Sequence, residues 1–127
     1  MEIDKRILKD SVFISDLTLS QLRLYRDGDV SWFILITRRE NIIEWIDLIQ
    51  ADQLQLTKEI DLVSRKLIRF SKPDKINIGA LGNMVPQFHI HIIARYKEDR
   101  AWPGAIWSTK SKKSFQDYMV KQWIDRF

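Results

Sequence analysis

Both histidines of this chain fall in one alternating stretch, Asn83-Met84-Val85-Pro86-Gln87-Phe88-His89-Ile90-His91-Ile92-Ile93-Ala94-Arg95. Gln87, His89 and His91 alternate with Phe88, Ile90 and Ile92. Alternation of this kind is the period of a β-strand, so the three polar heads share one face and the three apolar side chains the other. Successive residues on one face lie about 6.6–7 Å apart. A single small anion can therefore touch more than one of the polar heads.

The rest of the chain reads as elements that surround such a strand. Val12-Phe13-Ile14 and Leu22-Arg23-Leu24-Tyr25 read as strands, separated from Trp32-Phe33-Ile34-Leu35-Ile36 by the turn chemistry of Asp27-Gly28-Asp29. The Trp32–Ile36 run is short, wholly apolar and rich in β-formers, the mark of a central strand covered on both faces. Residues 42–46 read as a short segment or a single helical turn. Leu56, Ile60, Val63, Leu67 and Phe70 form an apolar stripe at helical spacing. Asp52 or Thr57 is placed to cap that helix, and Pro73 stops it near Ser71. Lys75-Ile76-Asn77-Ile78 reads as a further strand, followed by the glycine-containing loop Gly79-Ala80-Leu81-Gly82-Asn83. Ser114 is a fair N-cap for a last helix with Phe115, Tyr118, Met119 and Trp123 on one side. Residues 1–10 read as a short helix or a tail. No linker or repeat divides the 127 residues, which implies one domain over 1–127.

Composition narrows the partners. The net charge of +4 mildly favours anionic ligands and is too scattered for a nucleic-acid groove. No apolar run is long enough to span a bilayer, and no signal peptide is evident. The absence of cysteine excludes disulfides and thiolate metal sites and fits a reducing, cytoplasmic compartment.

A neutral imidazole is a nucleophile towards phosphorus, provided that one nitrogen is unprotonated and the other is held by an acceptor. A second histidine two residues on faces the same side and can donate to a phosphate oxygen. The bland alternative is a pair of half-buried, satisfied strand histidines. A zinc site would need further ligands such as Glu98 or Asp99, which no fixed spacing supports. No cofactor is implied. Arg95, just past the strand, reads as a surface residue.

Gln87-Phe88-His89-Ile90-His91-Ile92-Ile93 resembles the signature of the histidine-triad (HIT) family, with glutamine in place of the first histidine. Trp32 to Arg39 resembles that family's apolar strand and basic turn. The Asn83–Gln87 run and Trp102-Pro103-Gly104 resemble compact bacterial members. The resemblance covers residues 10 to 107. It implies an α+β fold, with an antiparallel sheet of about five strands, one long helix and a C-terminal helix, commonly paired as a homodimer. It further implies a nucleotide hydrolase, phosphoramidase or nucleotidyl transferase acting at the α-phosphate of a purine nucleotide or conjugate. His89 would be the nucleophile, with His91 and Gln87 beside it. Asn83 and, more weakly, Asn77 would meet the phosphate, Asp27 the ribose, and Trp102 would close one side of the nucleotide pocket or pack at the dimer contact. The sequence departs from the family at Gln87, at Met84, where a hydroxyl residue is frequent, and at Glu40, near a frequent histidine. These departures leave a nucleotide-binding module with little catalysis as the alternative.

Overall fold

The computed structural model describes residues 1–127. Five strands form one antiparallel sheet: β1 (Ser11–Asp16), β2 (Ser20–Tyr25), β3 (Trp32–Thr37), β4 (Lys75–Gly79) and β5 (His89–Arg95). Their spatial order is β1-β2-β3-β5-β4. Three helices accompany them: α1 (Lys5–Asp10), α2 (Gln50–Ser71) and α3 (Asp117–Arg126), with a short 3-10 turn at Trp45–Asp47. This is the expected α+β architecture.

The two faces of the sheet divide the side chains as the alternation requires. On one face Phe33, Leu35, Phe88, Ile90, Ile92 and Ala94 pack with Leu56, Val63 and Leu67 of α2 and Trp123 of α3. On the other, Trp32, Ile34, Ile36 and Ile93 pack with Ile7 of α1, Val30 and Ile106. Every residue of β3 is buried because both faces are covered. In β5, His89 and His91 pair across to Ile36 and Ile34, and so lie on the α1 face. With β3 on one side and β4 on the other, β5 is an interior strand in which His91 pairs with both Ile34 and Gly79, and His89 with Ile36. That pairing positions the site.

Several boundaries and burial states differ from expectation. Helix α2 begins at Gln50 behind Ile49, with no side-chain cap. Asp52 instead pairs with Arg39 (Nε to Oδ2 2.8 Å), and the Thr57 hydroxyl donates to the Gln53 carbonyl. Leu56, Val63 and Leu67 of the stripe are buried. Glu59 lies off that stripe yet is buried, because its carboxylate accepts the amides of Leu19 (2.7 Å) and Ser20 (3.1 Å) at the β1–β2 hairpin. Helix α3 starts behind Gln116 rather than Ser114, and Tyr118 is turned to solvent while Trp123 carries the packing. Arg95 is buried, not on the surface. Its guanidinium meets both Asp99 oxygens (2.7 and 3.1 Å), the Asn77 side chain (2.7 Å) and the Gly104 carbonyl (2.8 Å).

Candidate active site on the histidine strand

His89 and His91 sit side by side on β5, with ring centroids 5.0 Å apart. Different partners hold them. His89 Nδ1 lies 2.7 Å from the Gln87 carbonyl oxygen. A carbonyl only accepts, so Nδ1 carries the hydrogen and, in the neutral ring, Nε2 carries the lone pair. His91 Nδ1 accepts from the Trp32 indole Nε1–H at 2.9 Å. An indole nitrogen only donates, so His91 Nδ1 is bare and its hydrogen sits on Nε2. The two rings are therefore fixed in opposite tautomers, one offering a nucleophile or base and the other a donor.

The surroundings keep His91 neutral. Tyr25 stacks on Trp32 (centroids 4.4 Å apart, 28° between planes), and the Trp107 edge meets His91 with centroids 5.6 Å apart. Burial in this aromatic shell, with His89 adding a smaller contribution, lowers the His91 pKa from the usual 6.5 to about 3. Burial likewise raises the Tyr25 hydroxyl pKa, with Asp10 and Asp27 contributing.

Both imidazoles line a cavity of about 340 Å³. Ile7, Tyr25, Ile34 and Trp107 supply apolar and aromatic walls, and Arg6 and Asp10 supply charge from α1. The opposite wall is the loop Leu81–Val85, in which Gly82 takes φ of +66°, a left-handed conformation suited to glycine.

The site residues expected from sequence separate into two groups. His89, His91, Asn83 and Met84 line this cavity, and Met84 is highly exposed. The others do not line it. Gln87 precedes β5, and its side-chain amide turns to the N-terminal segment: Oε1 accepts from the Asp4 amide (2.8 Å) and Nε2 donates to the Glu2 carbonyl (3.0 Å). The expected row of three polar heads is thus a row of two. Asp27 is buried and is not free for a ribose. It accepts from the amides of Asp29 and Val30 and from Arg100, whose NH2 reaches Oδ2 at 2.7 Å. Asn77 gives its side-chain oxygen to Arg95, and Trp102 stacks under the same guanidinium at 5.7 Å. Asp99 is likewise held by Arg95. Glu40 is exposed at 71% of its side chain.

The sequence pattern places Trp32 in the covered central strand. Tyr25 and Ile7 were read only as parts of local elements. Nothing in the local pattern marks Trp32 as a hydrogen-bond donor to His91, since its ladder partner on β5 is Ile93. Only the diagonal reach of the large ring brings the two together.

A profile of the HIT domain matches residues 7–98 of the chain. The chain belongs to the HIT family. Solved HIT structures superpose over nearly its full length. A histidine triad protein from Bradyrhizobium japonicum is 40% identical, with a TM-score of 0.92 over 98% of this chain and 92% of the other. One from Sinorhizobium meliloti 1021 is 38% identical, with a TM-score of 0.93 over 98% and 93%. One from Marinobacter aquaeolei VT8 is 30% identical, with a TM-score of 0.92 over 98% and 91%. Among curated proteins none matches. HIT domains generally bind nucleotides and hydrolyse or transfer them. No helix of this HIT domain is long and apolar enough to cross a membrane.

Proposed function

We propose that this HIT domain is a nucleotide hydrolase or phosphoramidase, or a nucleotidyl transferase, acting at the α-phosphate of a purine nucleotide conjugate. The observation that carries the reading is the hydrogen bond between His89 Nδ1 and the Gln87 carbonyl, 2.7 Å. It leaves the Nε2 lone pair on a ring that lines the cavity. In the first step His89 Nε2 forms a bond to phosphorus while the bond from phosphorus to the leaving group breaks. The leaving group departs with that electron pair and is protonated from water. In the second step the oxygen of water, or of another acceptor, forms a bond to phosphorus while the phosphorus–Nε2 bond breaks; that electron pair returns to Nε2 and the attacking group's proton passes to solvent. The nucleotide is released as the monophosphate or transfer product, and His89 returns neutral.

His91 supplies a neutral Nε2–H for a non-bridging phosphate oxygen, and Asn83 and the Gly82 loop, which line the same cavity, are further donors in reach of such an anion. Tyr25 and Trp107 fit the flat face of a base. The reading takes residues 1–127 as one domain, working as a cytoplasmic homodimer. Absence of cysteine fits the compartment, and exposed Ile46, Ile49 and Leu54 fit an apolar contact between copies. Light scattering tests the dimer.

One observation favours a second reading, a nucleotide-binding module with little catalysis. The side chain at the first triad position faces away from the histidines, towards Glu2 and Asp4. The experiment is to incubate the protein and its His89→Ala variant with adenosine phosphoramidate and with a dinucleoside polyphosphate, following release of the monophosphate. Release by the native protein alone is expected. Nucleotide binding without release from either protein selects the binding module. Equal release by both refutes the nucleophile.

A further inference from the structure

We infer that Gln87 is a positioning residue whose side chain fastens the N-terminal segment, so that α1 stands as one wall of the histidine cavity. The inference rests on the nucleotide reading for its effect on substrate and on geometry alone for the clamp.

The side-chain amide of Gln87 bonds the chain on both sides of Ile3. Its oxygen takes the Asp4 amide at 2.8 Å and its nitrogen gives to the Glu2 carbonyl at 3.0 Å. A carboxamide used this way imitates a neighbouring strand, with one donor and one acceptor set against backbone. The contact spans 83 to 85 residues of sequence. No other side chain donates to or accepts from the backbone of Glu2 or Asp4 over such a distance.

Two more contacts extend the clamp towards the cavity. The Asp4 carboxylate accepts the Arg6 amide at 2.8 Å and grips the Arg6 guanidinium through Nε (3.0 Å) and NH2 (2.9 Å). Arg6 NH1 then donates to the Met84 carbonyl at 2.9 Å. Asp4 is also the N-cap of α1. The chain Gln87–Asp4–Arg6–Met84 thus joins both walls of the cavity, since Arg6, Ile7 and Asp10 line one side and Leu81 to Val85 the other.

This divides Gln87 between two tasks. Its backbone carbonyl holds His89 Nδ1, and its side chain holds the wall. A side-chain substitution leaves the carbonyl, and with it the His89 tautomer, in place. The glutamine at the first triad position then governs the shape of the cavity and the fit of the ligand, not the bond-making step.

The test uses Gln87→Ala in the full chain, with two readouts. Amide hydrogen exchange at Asp4, followed by NMR, reads the clamp without any substrate. Loss of one hydrogen bond of ordinary strength predicts faster exchange by about tenfold. Titration with adenosine monophosphate, together with steady-state kinetics on adenosine phosphoramidate, reads the cavity. Affinity should fall and KM rise by about fivefold or more, with kcat held within about threefold. Unchanged Asp4 exchange overturns the clamp. Loss of kcat with KM and affinity unmoved overturns the division of tasks and returns Gln87 to the reacting atoms. If the native protein binds no adenosine monophosphate, the nucleotide reading fails by itself, while the Asp4 exchange still decides the clamp. Gln87→Glu grades the result: it keeps an acceptor for Asp4, loses the donor to Glu2, and should fall between native and alanine.

Discussion

The histidine cavity and the Asp27 turn are both largely buried polar clusters on this HIT domain, and they are satisfied to different degrees. At the turn, Arg100 reaches Asp27 at 2.7 Å and Asp29 at 2.8 Å with only 4% of its side chain exposed. Asp29 also takes the amides of Lys112 and Lys113, both at 2.9 Å. Gly28 completes the closure, because a Cβ there would lie 2.1 Å from the Lys113 carbonyl oxygen. Every charge has partners, and the cluster ties the β2–β3 turn to the C-terminal segment. At the histidines each ring has one nitrogen bonded, His89 to a backbone carbonyl and His91 to Trp32. The other nitrogen stays available at the cavity. Full satisfaction holds a fold, whereas half satisfaction leaves a group able to react.

The sharpest break of this contrast is a pair of opposite substitutions. His89→Ala should lower turnover by at least about a thousandfold, or roughly 4 kcal/mol of transition-state stabilisation, while stability changes by about 1 kcal/mol or less. Activity assays and urea unfolding on one preparation read both. Arg100→Met should do the reverse. Stranding the buried carboxylates of Asp27 and Asp29 should cost about 3–5 kcal/mol of stability, with kcat of the folded protein within about twofold of native. A large loss of kcat without loss of stability would place Arg100 in the chemistry and undo the comparison.

A smaller effect follows from His91. Its pKa is about 3 in the folded protein, against 6.5 for an ordinary histidine. Below pH 6.5 the unfolded chain takes up a proton that the folded protein refuses. Stability therefore falls as pH drops from 6.5 towards 3, by up to about 1.4 kcal/mol per pH unit from this group. Above 6.5 the contribution is flat. Urea midpoints at pH 7, 6 and 5 should show this slope in the native protein and lose it in His91→Gln. Equal slopes would mean that His91 is protonated as readily folded as unfolded.

The smallest change sharpens the tautomer argument. Trp32→Phe keeps an aromatic ring and removes the indole N–H that His91 Nδ1 accepts. About 1 kcal/mol of stability and about tenfold in turnover should be lost. Nitrogen NMR of His91 should change from one Nε2–H tautomer to a mixture. Persistence of the single tautomer would show that Trp32 does not set it.

Much of the framework was legible because it depends on local period. The alternation of 87–92 marked the β5 strand, the Trp32–Ile36 run marked the covered strand, and the spacing of Leu56, Val63 and Leu67 marked the buried side of α2. Helix starts were less legible. Asp52 and Ser114 have cap chemistry, but Asp52 pairs with Arg39 inside the first turn of α2, and α3 starts behind Gln116. Arg95 looked solvated because a charge on a strand end usually is, and the position of Glu59 off the apolar stripe gave no sign of burial. Each is buried because it meets groups far along the chain, Glu59 at Leu19 and Ser20, and Arg95 at Asn77.

The sequence by itself determined that two histidines stand on one face of a strand, since a two-residue period admits no other arrangement. It also carried the family, because the alternation and its flanks are contiguous. Tertiary structure decided what each polar group does. Whether Asp27 meets a ligand or Arg100, whether Gln87 meets a histidine or the N-terminal segment, and which nitrogen of His91 is bare all depend on partners 59 to 85 residues away. Hydrogen bonds are short and directional, so their pairing is settled only when folding brings those distant atoms to within about 3 Å.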